Sequence, residues 1–95
     1  MKIVGFYEFC SLPAGTVFSY YEPCVITGLY RKGDTIAHDA DGPSDFWESS
    51  IQAECINGDH PTVDDIESRW ALYDRDAEFA VYEPEDIAKM KEMLG

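Results

Sequence analysis

Basic residues are scarce in this chain. Seven lysines and arginines stand against nineteen aspartates and glutamates, a formal net charge of −12. A charge of that sign and size repels nucleic acid and anionic membrane and draws in basic surfaces. Long apolar runs are also missing, and none nears the roughly 18 residues that cross a bilayer as a helix. The opening Met1-Lys2-Ile3-Val4-Gly5-Phe6-Tyr7-Glu8 lacks the uninterrupted apolar stretch and cleavage site of a secretory leader. A soluble protein that stays in the cytoplasm is therefore expected. Three cysteines, Cys10, Cys24 and Cys55, cannot all pair within one chain, and none falls in a CxxC. Buried, reduced thiols are the expectation. A metal site drawing on Cys55 and His60 lacks the close ligand pairs of structural zinc.

Chemistry-bearing motifs are equally sparse. GxGxxG, GxxxxGK[ST] and GxSxG are all absent, which leaves nucleotide binding and serine-hydrolase chemistry without support. His38 and His60 are the only histidines; both sit in polar stretches beside acids, where a solvated surface role suffices. The stretch from Asp39 to Ser50 fails as a calcium loop. Pro43 falls where an oxygen ligand is needed, Ser44 at the glycine position and Ser50 at the closing glutamate. Paired carboxylates such as Asp64 with Asp65 would need a sugar-sized cleft to act on a glycosidic bond, and a 95-residue chain has little room for one. No enzyme, metal or cofactor is expected.

What the chain does have is a foldable core. Apolar residues make up 45% and aromatics 14%, too many for a disordered segment, and the length suits one domain over residues 1–95. Residues 3–10 are apolar and aromatic and fit a short helix or a first strand equally. Pro13 fits the second position of a turn. Residues 16–21 and 24–31 are rich in β-branched and aromatic side chains and predict strands. Lys32-Gly33-Asp34 predicts a turn, with a third strand from Thr35. Residues 38–45 and 57–61 predict polar loops, and residues 49–56 a strand or a helical turn. The apolar runs 68–73 and 78–82, around the polar 74–77, predict a hairpin. Ile87, Met90 and Leu94 share one helical face after Pro84, with Glu85 and Asp86 at the start and Lys89 and Lys91 toward the end, which predicts a helix over about 84–94. The sum is an α+β fold: a small bent antiparallel sheet, or an SH3-like partial barrel, with a C-terminal helix packed on it.

The charge is unevenly placed. Residues 1–33 sum to +1 and residues 34–95 to −13. Candidate partner-binding acids are therefore Asp39, Asp41, Asp45, Glu48, Asp59, Asp64, Asp65, Glu67, Asp74 and Asp76. Two functions compete. One is an inhibitor whose acids occupy the nucleic-acid-binding surface of a basic protein. The other is an accessory module that binds protein through an aromatic or sheet-edge surface, its acidity serving solubility.

The stretches Leu12-Pro13-Ala14-Gly15-Thr16-Val17-Phe18, Lys32-Gly33-Asp34-Thr35, Asp45-Phe46-Trp47 and Val81-Tyr82-Glu83-Pro84-Glu85-Asp86 resemble those of small acidic proteins carried by tailed bacteriophages and prophages. Some of that broad class look like inhibitors of host defence, including anti-CRISPR proteins that imitate DNA. The resemblance implies a phage setting, and with it the host cytoplasm. The acidity, not the resemblance, leads to the expectation of a basic host protein that binds nucleic acid as the partner, with no direct contact with nucleic acid or membrane. The resembling stretches are turn and packing motifs, so no site residue carries over from them.

Overall fold

The computed structural model describes residues 1–40, 42–55, 61–63 and 65–95; for His38, Asp39, Glu54, Cys55, Pro61 and Thr62 it describes the backbone alone. In chain order the elements are β1 (Lys2–Gly5), α1 (Phe6–Cys10), β2 (Val17–Glu22), β3 (Val25–Asp39), β4 (Gly42–Ser50), β5 (Glu54–Cys55), β6 (Pro61–Thr62), β7 (Glu67–Arg69), β8 (Glu78–Val81) and α2 (Pro84–Met93). Among the described residues six strands form one antiparallel sheet in the order β1-β8-β2-β3-β4-β7, and β5 pairs with β6 apart from it. The fold is α+β, as expected. The sheet is open, with β1 and β7 at its edges, so the bent sheet describes it and the partial barrel does not.

The first segment takes both of its open alternatives. β1 buries Val4, and Gly5 ends it. Phe6, Phe9 and Cys10, at helical spacing, are then buried by α1. Phe9 stacks on Phe79 at 4.1 Å between ring centroids and meets Phe18 and Phe46 edge-on at 4.6 and 4.9 Å. All five phenylalanines of the chain are buried. Each contributes roughly 1.5–3 kcal/mol through burial, and such ring pairs add about 0.5–1.5 kcal/mol.

Four local expectations are corrected. Lys32-Gly33-Asp34 is not a turn: β3 runs through it, with a shift of register between Lys32 and Thr35. Two contacts hold it there. Lys32 is buried, its Nζ donating to Gly33 O at 3.0 Å and Thr35 Oγ1 at 2.9 Å. A Cβ on Gly33 would lie 2.9 Å from Trp47 Cβ and 3.2 Å from Trp47 O, so only glycine lets β4 approach this closely. The loop expected over 38–45 is mostly strand in its described residues, since β3 extends to Asp39 and β4 starts at Gly42. Pro13 opens its turn rather than filling the second position. Its carbonyl accepts from Thr16 N at 3.3 Å, and Gly15 supplies the positive φ of +95° at the third position.

The fourth correction is the hairpin of residues 68–82. β7 pairs with β4, whereas β8 pairs with β1 and β2. The chain leaves β7 through Ala71 and Tyr73, both in the left-handed region at φ 56° and 51°, and Trp70 N donates to Phe46 O at 3.0 Å. Residues 74–77 do form a turn, closed by Ala77 N on Asp74 O at 3.2 Å.

β4 ends at Ser50, and the loop expected at 57–61 lies mostly outside the described residues. Cys10 is buried as expected, but Cys24 is exposed, at φ 68° in the β2–β3 turn. The side chain of Cys55 lies outside the described residues. α2 begins at Pro84, as the sequence predicts. Glu83 and Asp86 form a reciprocal capping box, and Asp86 also pairs with the Met1 amine. None of the helix is fully buried; Ile87 and Met90 are half-buried, and Ile87 shares a groove with Leu12 and Val17.

Candidate functional site

The ten acids singled out from the sequence divide sharply. Asp45 and Glu48 are buried, and this removes both from any partner surface. Asp45 Oδ1 accepts from Phe46 N and Ala71 N, each at 2.8 Å, and Oδ2 accepts from Arg69 Nε at 2.9 Å. The carboxylate thus ties residues 69–71 to β4. Glu48 accepts from Tyr20 Oη. Burial, and then the Glu48 carboxylate, push the Tyr20 phenol far above its usual range. Polar letters beside Phe46 and Trp47 read as surface in the sequence; in a strand covered on both faces they are internal connectors instead.

Asp65 is exposed and pairs with Arg31 at 2.5 Å, beside an open cavity of about 470 Å³ lined by Ser49, Ile51 and Val63. Glu67 is exposed on the edge strand β7. Asp41, Asp59, Asp64 and the side chain of Asp39 lie outside the described residues.

Asp74 and Asp76 are brought into a site. Between the end of the β2–β3 hairpin and the turn at 74–77 lies a groove of about 270 Å³. Its floor is the buried pair Trp70 and Phe79, its near wall Tyr20 and Tyr21, and its lip Leu72, which is 67% exposed. Four carboxylates rim it: Glu22, Asp74, Asp76 and Glu78; no lysine or arginine lines it. Among the described residues none of the four forms an ion pair. The turn is fixed by Asp76 N donating to Asp74 Oδ1 at 2.9 Å, and the pairing of Tyr21 with Glu78 brings the end of β2, with Glu22, to the start of β8. A cleft lined by charge of one sign over an apolar floor concentrates the field of that charge. Glu22 and Glu78 were missed in the sequence: Glu78 follows the turn directly but was counted with the strand, and Glu22 reaches it only through the β2–β8 register. Glu22 also lies in the stretch whose net charge is near zero.

Among the described residues no group of three or more histidine, cysteine or acidic side chains could hold a metal ion. No described helix is long and apolar enough to cross a membrane. No protein-family model, curated protein or solved structure matches the chain. Its class is therefore defined by architecture and surface: an open antiparallel α+β sheet carrying an acid-rimmed aromatic groove.

Proposed function

We propose that this chain is a non-enzymatic binding protein that engages a basic, nucleic-acid-binding protein in the cytoplasm. The observation that carries the reading is the groove. Four carboxylates without ionic partners among the described residues line a groove whose accessible apolar surface comes from Leu72 and the half-buried Tyr21, which suits a cationic protein surface with apolar stems. Of the two functions that compete in the sequence, the groove supports an interaction module over an all-round imitation of nucleic acid, but a module in which the acids take part in binding rather than serving solubility alone. The molecule is 45 Å long. A duplex of that length presents about 26 phosphates at one charge per about 1.7 Å. The whole chain has nineteen carboxylates, and Asp45 and Glu48 are internal. The remaining charge is too dilute to copy duplex DNA along its length, yet it is ample to steer a basic partner.

The inhibitor form rests on the −12 charge and the phage resemblance. In that setting the partner is a host defence protein, and binding there excludes its nucleic acid. One experiment tests both. Affinity capture with the tagged chain is followed by titration of the captured partner at about 50 and about 500 mM salt, with and without the partner's nucleic acid. The proposal expects a basic partner whose binding weakens sharply in high salt. Competition by nucleic acid selects the inhibitor form, and a ternary complex selects the module. A partner that is acidic, or that binds equally at both salt concentrations, overturns the proposal.

A further inference from the structure

We propose that the open edge of β1 receives an extended segment of the basic protein partner, which pairs with it as an added strand of the sheet. The inference rests on the reading of the chain as a binder of basic protein, and it names the surface used and the form of the segment held there. Three observations lead to it. First, the register leaves backbone groups unpaired on this edge. Tyr82 N donates to Val17 O at 3.0 Å, so Tyr82, Ala80 and Glu78 turn their backbone groups to β2, while Val81 and Phe79 turn theirs to β1. Lys2 and Val4, opposite Val81 and Phe79, therefore bond to β8. Ile3 N–H and C=O and Gly5 N–H point the other way, where no strand pairs with β1 among the described residues. Second, the edge is uncovered. Ile3 is 41% exposed, Gly5 is exposed, and a Cβ on Gly5 would meet nothing within 4 Å. Third, a carboxylate waits behind the gap. Glu78 stands opposite Gly5, on the face that Ile3 shares; it is exposed and forms no ion pair among the described residues.

The other edge is guarded. β7 is Glu67, Ser68 and Arg69, all exposed, and charges along an edge strand are a common bar to pairing. The one charge on β1, Lys2, lies on the face opposite Ile3 and pairs with Glu8 at 3.6 Å. The face to be covered defines the occupant. It runs antiparallel to β1, as neighbours in this sheet do, with an apolar residue beside Ile3 and a basic residue beside Gly5. The basic residue stands two strand spacings, about 10 Å, from Glu78. Two long side chains cover that distance because Gly5 places nothing between them. In an antiparallel partner the residue beside Gly5 comes two positions before the one beside Ile3, so the segment reads basic–x–apolar. Main-chain bonds supply the hold, and the two side chains supply the choice of partner. The charge of −12 favours such a segment over a second copy of this chain, which carries the same charge.

The test uses the whole chain and a Thr/Ser peptide carrying Arg-Thr-Ile at its centre, with a citrulline version that keeps the shape and removes the charge. Two-dimensional NMR should show shifts at the amides of residues 2–6 and 78–81, with slowed exchange at Ile3 and Gly5. Methylating the amide nitrogens of the peptide's arginine and isoleucine, which face β1, should abolish binding. Methylating the threonine between them, which faces solvent, should leave it nearly unchanged. Ile3→Pro removes an outward N–H and no bond to β8, so the melt should stay close to wild type while affinity falls about tenfold. Glu78→Gln should weaken the arginine peptide about threefold, the scale of one exposed ion pair, and leave the citrulline peptide unaffected. Asp34→Asn removes the same charge elsewhere and should alter neither. Absence of shifts at millimolar peptide, shifts confined to β7, or equal binding of the two methylated peptides overturns the inference. Should Ile3→Pro fail to fold, the methylated pair decides by itself. If Ile3→Pro captures a basic partner as well as wild type does, the edge inference falls and the broader function stands. If the peptide pairs with β1 as described but the captured partner is acidic, the reverse holds.

Discussion

At the scale of single residues, the two oxygens of Asp45 receive three donors in a site with no solvent access. Asp45→Ala leaves two backbone N–H groups and part of the Arg69 guanidinium without an acceptor, and frees residues 69–71 from β4. The expected cost is about 3 kcal/mol, read as a lower urea midpoint. A midpoint equal to the wild type would show that the carboxylate holds nothing in place. The cysteines divide in a similar way. Burial chiefly, offset in part by the Lys32 ammonium, pushes the Cys10 thiol up to about 11, whereas Cys24 is exposed on its turn. Native protein at about pH 8 should therefore be alkylated at Cys24 and spared at Cys10, as peptide mass mapping would show. The pH dependence has a definite sign. Between the thiol's ordinary 9.0 and about 11, the unfolded chain has lost a proton that the folded chain keeps. Cys10 therefore lowers stability as pH rises through that window. An alkaline melt that is flat from pH 9 to 11 in wild type and Cys10→Ala alike would contradict this.

Among the elements, α2 was legible because its signals are local: Pro84 at the first turn, acids at its start and lysines toward its end, and Ile87 and Met90 on one face; Leu94, expected on that face, lies past the last turn and is exposed. Strand partners were not legible to the same degree. Whether residues 68–73 pair with 78–82 or with β4 is decided by Asp45 and Phe46, more than 20 residues away in sequence, and no local pattern reports that. Gly33 misled for a related reason, since glycine marks a turn and a close approach of strands with the same letter. The candidate site followed the same division. Asp74 and Asp76 announce themselves as a polar turn with Glu78 two residues on, whereas Glu22 joins them only through strand register. Met90→Pro tests how far α2 stands apart. It removes a bond within the helix and clashes with the preceding turn, costing the helix about 3 kcal/mol. Because α2 buries no residue fully, amide exchange should open across 84–93 while β2 and β8 keep their protection. Loss of protection throughout would mean that the helix supports the sheet.

For the molecule as a whole, a charge of −12 on one small domain opposes its own compactness. Raising sodium chloride from about 0.1 M to about 1 M shortens the Debye length from about 10 Å to about 3 Å and should stabilise the fold. A gain of 1 kcal/mol would appear as about 4–8 °C in Tm. Binding to a basic partner should weaken over the same range, so stability and affinity should move in opposite directions; a Tm that falls with salt would refute the first half. The strand order has a different consequence, one of timing. β8, which emerges late in synthesis, lies between β1 and β2, which emerge first. Until residues 78–81 arrive, β1 has no neighbour, one side of β2 is open, and Phe9 lacks the ring it stacks on. The nascent chain can therefore pair β2, β3, β4 and β7 as they are made, but it cannot complete the sheet. β1 and one edge of β2 stay unpaired, exposed to chaperones and proteases, until β8 is made and inserts between them.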